Sequence, residues 1–242
     1  MLPWWGWILA AGLLWITVQW MWYSGTEGFT DLPWSQGAMD QSVRAENSCA
    51  VLERFPDTEM ADAVIEIVDD TCEEGLPHTS DANTIRMTRG VWNSSAARRA
   101  NVLAHERVHL MQRRNPTAWA AFYATKWQYV LSASPPDGFP ADMLDKIRGN
   151  PDTFPERWAI WKGRYWFIPL YSEHAPSLRN AIPRVWDAEM RTWTESPPEW
   201  RAYFGKPGQF EHPHEISAEI LADNVQNTPA SVDLRNFILN TF

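Results

Sequence analysis

Five residues, His105-Glu106-Arg107-Val108-His109, constrain this chain most, because they fall inside a stretch with the marks of one continuous helix. Asn93, Ser94 and Ser95 offer N-caps, and Ala96, Ala97 and Ala100 are strong helix formers. Asn115-Pro116 imposes a stop, since the residue before proline is steered out of helical geometry. The pattern predicts a helix over 95–114. On it Val102, His105, His109 and Gln112 share a stripe, with Leu103 and Leu110 beside it, so both histidines face inward. Two buried imidazoles beside a buried carboxyl group are costly unless each polar atom finds a partner. One zinc ion meets that need: His105 and His109, four apart on one face, can both ligate it, and Glu106 then stands beside it as general base for a zinc-activated water.

A catalytic zinc usually takes three protein ligands, so a third must come from elsewhere. The best source is the run His212-Pro213-His214-Glu215-Ile216-Ser217-Ala218-Glu219, continuing to Asp223. With Pro213 in the first turn of a helix, Glu215 and Glu219 share a face and Ala218 permits close approach to the histidine helix. One carboxylate can bind zinc while the other orients a histidine through its free ring N–H. Two frames are open: Glu215 as ligand with Glu219 behind it, preferred because Glu215 then lies in the first turn, or Glu219 as ligand supported by Asp223. A structural zinc would instead recruit His212 or His214 as a fourth ligand.

A length of 242 residues, 45% of them hydrophobic, suits one substantial core plus an appended segment. Residues 1–26 carry no charged side chain, and tryptophans cluster at both ends of the apolar run. About 20 such residues span a bilayer as a helix, so 1–24 is expected to be a transmembrane anchor or uncleaved signal, 25–40 a linker and 41–242 the catalytic domain. The lipid bilayer is thus an expected partner. Cys49 and Cys72 are an even pair suited to one disulfide, and Asn93-Ser94-Ser95 has the form of a glycosylation sequon; both favour an extracytoplasmic domain. A net charge of −9 leaves no basic surface for nucleic acid. Arg98-Arg99 and Arg113-Arg114 read as the solvated face of the histidine helix, the second pair complementing its dipole.

Elsewhere a helix is expected over 41–54 and strands over 63–68, 84–88 and 165–170, the last with Pro169 at an edge or terminus. Further helices are expected at 117–131, 198–204, 214–226 and 230–240, and a long loop around one short helix at 134–155. The fold class is α+β.

On these residues the chain resembles zincin metallopeptidases of the gluzincin type, in which HExxH is followed on a later helix by a glutamate ligand in an E-x-x-A-[DE]-like setting. Both EISAE at 215–219 and EILAD at 219–223 fit. The resemblance rests on the segments 84–88, 95–114 and 214–226 alone. It implies a zincin-like domain in which a small mixed sheet lies over the active-site helix. Its edge strand, Thr84, Ile85, Arg86, Met87 and Thr88, would pair with an extended peptide. It further implies one catalytic zinc on His105, His109 and Glu215, a peptide or protein substrate, and a transition-state donor among Tyr165, Tyr171, His174 and His214. The separation of about 100 residues between His109 and Glu215 departs from the commonest members and is expected to hold helices and loops that shape the cleft. The alternatives are a non-peptidase zinc hydrolase with Cys72 as third ligand, and a catalytically inactive membrane-tethered binding or scaffold protein.

Overall fold

The computed structural model describes residues 37–45, 47–79 and 81–242. The expected anchor at 1–24, and the linker before residue 37, lie outside the described residues. Among the described residues no helix is long and apolar enough to cross a membrane. They form an α+β fold with two separate sheets.

The first region opens with α1 (Ala38–Arg44) and continues through β1 (Val51–Pro56), β2 (Val64–Val68), β3 (His78–Thr79) and β4 (Thr84–Thr88) to α2 (Arg89–Trp92) and α3 (Ala96–Arg114). Its sheet has the order β1-β2-β4-β3; β2 and β4 run parallel and the other pairs antiparallel. Alternation along the strands sorts the side chains by face. Ile65, Ile67, Ile85 and Met87 are buried against Leu110 of α3, with Val102 and Leu103 packed beside them. The opposite face is charged. Glu66 lies in register with Arg54 on one side and Arg86 on the other and pairs with both, at 3.1 Å to Arg86.

The second region contains α4 (Pro116–Phe122), which widens into a π turn at Tyr123–Trp127, then β5 (Tyr129–Ser132), α5 (Ala141–Leu144), β6 (Trp158–Trp161), β7 (Tyr165–Leu170), β8 (Ile182–Asp187) and β9 (Thr192–Thr194). These five strands form an antiparallel meander in chain order. The β6–β7 hairpin turns at Lys162 and Gly163, whose φ values of 52° and 65° match the right-handed twist of paired strands. Both faces of the meander are apolar. Ala159, Trp161, Phe167 and Val185 face a core shared with the helices, while Trp158, Trp166, Ile168 and Trp186 face a second core with Ile147. The chain closes with α6 (Pro198–Phe204), α7 (Pro213–Leu221) and α8 (Pro229–Thr241).

Several expectations need correction. The segment 41–54 is a short helix ending at Arg44 followed by a strand, because Asp40 and Arg44 are buried in an ion-pair cluster rather than continuing an amphipathic helix. The helix expected at 117–131 stops at Trp127, and 129–132 joins the meander. The segment between His109 and Glu215 does hold helices and loops, and the connection at 148–152 lines the cleft, but it also carries the five-stranded meander, of which β7 alone was expected. The strand at 84–88 is interior: the two-residue β3 covers its edge, pairing His78 with Arg86 and Thr79 with Ile85. A strand of two residues has no periodicity to read. Pro169 does lie near the end of β7, past the β6 ladder and opposite Pro183 of β8.

Candidate metal centre

Two capped helices place the site. At the start of α3, Ser95 Oγ accepts the Arg98 N–H at 3.3 Å. At the start of α7, His212 Nδ1 accepts the His214 N–H at 3.2 Å, with Pro213 in the first turn. The fully buried Ala218 lets α7 pack closely on α3, which sets Glu215 against the inward face of the histidine helix.

Three donor atoms converge there. His105 Nε2 lies 3.1 Å from His109 Nε2 and 3.3 Å from Glu215 Oε2, and His109 Nε2 lies 3.6 Å from the same oxygen. Two ligands on a tetrahedral zinc, each about 2.0–2.1 Å from the ion, stand about 3.3 Å apart. The triangle therefore has the size of one face of a zinc tetrahedron.

Hydrogen bonds behind the triangle fix its orientation. Gln112 Oε1 accepts from His109 Nδ1 at 2.8 Å, which leaves the Nε2 lone pair directed at the site. The Gln112 amide is itself anchored, donating to Ser217 Oγ at 2.9 Å and to the His214 carbonyl at 3.1 Å. Asn150 Nδ2 donates to Glu215 Oε1 at 2.8 Å and turns Oε2 toward the histidines. Asn150 is in turn steadied by its own Oδ1, which accepts the Asp152 N–H at 3.0 Å.

The charges of the cluster are strongly coupled. Against burial, which pushes it down, the Glu215 charge raises His109 to about 10, and hydrogen bonding to Glu215 raises His105. Against burial, which pushes it up, the two imidazoles hold Glu215 well below the carboxylate range. A metal ion, if bound there, would take the place of those imidazole protons. Glu106 is 4% exposed, with Oε2 buried and lacking a hydrogen-bond partner among the described residues. Burial, followed by the nearby Asp152 charge, pushes it up to about 8. A divalent cation at the triangle would draw it back to the carboxylate form.

The site opens on a cleft of about 200 Å³ lined by His78, His105, Glu106, Arg148, Asp152 and Glu219, among others. Asp152 closes one wall: its Oδ1 accepts the Thr79 N–H at 2.8 Å and the Thr79 hydroxyl at 2.6 Å, on the outer edge of β3. Arg113 reaches the same edge, donating from Nε to Thr79 Oγ1 at 3.0 Å and from Nη2 to the Pro151 carbonyl at 2.6 Å. Arg114 donates to the Ala82 carbonyl at 2.9 Å, so this arginine pair clamps neighbouring loops rather than forming a free solvated face.

A strained turn forms the rim. Glu73 and Glu74 have φ of 46° and 51°, in the left-handed region that L-residues avoid. The Cys49–Cys72 disulfide precedes them, and Arg44 donates to Glu73 from Nε at 3.0 Å and from Nη2 at 2.8 Å.

Comparison with family models, with curated proteins and with solved structures gave no match for this chain.

His105, His109, Glu106 and Glu215 are thus brought together. Glu219 lies one turn on, in the cleft wall and outside the triangle. Asp223 follows the end of α7, is exposed and pairs with Arg235 at 2.9 Å, so it supports neither frame. Cys72 is consumed by its disulfide and is no ligand. His212 and His214 lie outside the donor triangle, and burial holds both neutral. Among the expected donors, Tyr165 packs against Trp161 in the meander with its ring tilted, Tyr171 is bonded to Asp40 and His174 is exposed; none lines the cleft. His214 comes nearest, its Nδ1 3.3 Å from the Asp152 carbonyl, but it too is not a lining residue. Sequence reading missed the roles of Gln112, Asn150 and Asp152. Gln112 had a signal, its place on the histidine stripe; the 150–152 turn had none.

Proposed function

We propose that this protein is a zinc-dependent metallopeptidase of the gluzincin type, anchored in a membrane by residues 1–24 with its catalytic domain on the extracytoplasmic side. The observation that carries this reading is the convergence of His105 Nε2, His109 Nε2 and Glu215 Oε2 within 3.1–3.6 Å of one another, with Glu106 beside them. The mixed sheet packed on α3, with β3 at its edge beside the cleft, supports a zincin-like arrangement. The disulfide supports an oxidising compartment.

His105, His109 and Glu215 would hold the zinc, which when bound supplies a Lewis acid that polarises a scissile carbonyl and acidifies the attacking water. Glu106 takes the proton from that water at a carboxylate oxygen and delivers it to the leaving amine. Gln112 and Asn150 keep the ligands aimed, and the buried setting of Glu106 keeps bulk water from competing for the proton.

The test is zinc content together with peptide hydrolysis. The full chain should carry zinc; Glu215→Ala should lose it and Glu219→Ala should keep it. Glu106→Gln should keep zinc while hydrolysis falls roughly 10²–10⁴-fold. A metal-free parent chain, or a fully active Glu106→Gln variant, would overturn the reading.

A further inference from the structure

Most arginines around the site are saturated among the described residues; Arg148 and Arg157 are not, each having a buried Nε without a hydrogen-bond partner, and of these two Arg148 alone lines the cleft. Arg44 is bonded to Glu73, Asp40 and the Gly149 carbonyl; Arg107 holds Asp57 through two bonds of 2.9 Å; Arg113 holds Thr79 and Pro151. Arg148 is different. Its Nε is buried without a hydrogen-bond partner, and its ion-pair contact among the described residues, Nη1 to Glu211 Oε1, spans 3.7 Å, beyond hydrogen-bonding range. Glu211 Oε1 is likewise unbonded, so neither group satisfies the other.

Arg148, two residues before the Asn150 that orients Glu215, lines the same cleft as the donor triangle and also the adjoining pocket that holds Glu211. Among the described residues it is the one Lys or Arg lining the cleft, whose walls carry Glu73, Glu106, Asp152, Glu215 and Glu219. Unpaired, partly buried donors in a cleft are unfavourable until an acceptor arrives, and a planar fork of N–H groups matches a carboxylate through two parallel bonds. The acidic walls repel an anion, and Arg148 is the guanidinium among the described lining residues that can receive a substrate's negative group.

We propose that Arg148 is a specificity-determining residue that binds a carboxylate of the peptide substrate next to the bond to be cleaved. This rests on the peptidase reading. The carboxylate is either the peptide's free C-terminus or an acidic side chain, and the experiment separates the two.

Binding is measured by calorimetry on the full-length chain carrying Glu106→Gln, so that turnover does not interfere. The probes are N-acetyl-trialanine with a free C-terminus, its carboxamide, and a carboxamide with Glu in place of the last alanine. One carboxylate peptide should bind roughly 10–100-fold more tightly than the neutral carboxamide. Preference for the free C-terminus identifies an exopeptidase; preference for the Glu peptide identifies cleavage beside acidic residues. Adding Arg148→Gln should reduce the preference to within about twofold, and Arg148→Lys should retain part of it. Because loss of Arg148 leaves Glu211 without a cation, an Arg148→Gln and Glu211→Gln double substitution serves as the charge-balanced check, with the same loss expected. A preference that survives Arg148→Gln, or equal weakening of neutral and charged peptides, overturns the proposal. Peptides bound without any carboxylate preference overturn the role of Arg148 and leave the peptidase reading standing. No binding by all three peptides to a zinc-loaded chain overturns the role of Arg148, whereas a chain that carries no zinc overturns the peptidase reading.

Discussion

The two sheets solve the same burial problem in different ways. The β1-β2-β4-β3 sheet packs one face on α3 and leaves Glu66, Arg54 and Arg86 on the other, so its strands alternate between apolar and charged residues. The β5–β9 meander is covered on both faces, and along β7 the successive residues Trp166, Phe167 and Ile168 serve opposite cores. A one-sided sheet writes its orientation into the sequence; a two-sided one reads as a hydrophobic run that helix and strand can share. The site draws on both regions. α3 brings the histidines and Glu106, whereas Asn150 comes from the connection between β5 and β6, and Glu215 from the helix that follows the meander.

The largest effect that tests this contrast is in the meander. Phe167→Ala and Trp166→Ala empty opposite faces of one strand, and each should cost about 3–5 kcal/mol in denaturant unfolding. If either proves cheap, the meander is one-sided in solution and the contrast fails.

Acid should act next. His212 joins α7 to the second region, its Nε2 2.8 Å from the Glu156 carbonyl, and burial lowers it from 6.5 to about 4. Because the folded state resists protonation, stability is full above pH 6.5 and is lost as pH falls toward 4. Between pH 8 and pH 5 this amounts to about 2 kcal/mol. His212→Asn, whose amide can still cap α7, should remove that part of the pH dependence; an unchanged profile would show that the imidazole is not buried neutral.

The smallest effect belongs to the first sheet. Arg86 is 27% exposed in its pair with Glu66, and Arg86→Ala should cost no more than about 1 kcal/mol. A cost comparable to that of Trp166→Ala would mean that the charged face is a second core in disguise.

Legibility followed the same divide. The strand at 84–88 was readable because Ile85 and Met87 alternate with Arg86, and α3 because Ser95 and Pro116 mark its limits. β6, β8 and β9 escaped notice: WAIW has no polar alternation, and IPRVWD and TWT are too short or too proline-interrupted for their alternation to stand out. At the site, His105 and His109 were legible as a pair because four residues make about one helical turn, and Glu215 because Pro213 marks a helix start.

The sequence by itself determined that two imidazoles and a carboxyl group share one helix, since that follows from local geometry over a few residues. Only the tertiary structure set Glu215, rather than Glu219, against the two histidines, moved the sheet edge from β4 to β3, and set Asn150, Asp152 and Arg148 around the cleft. Those outcomes depend on how close α7 packs on α3 and where the 148–153 turn lands. Both are contacts between residues far apart in the chain, and they leave no periodic trace in it.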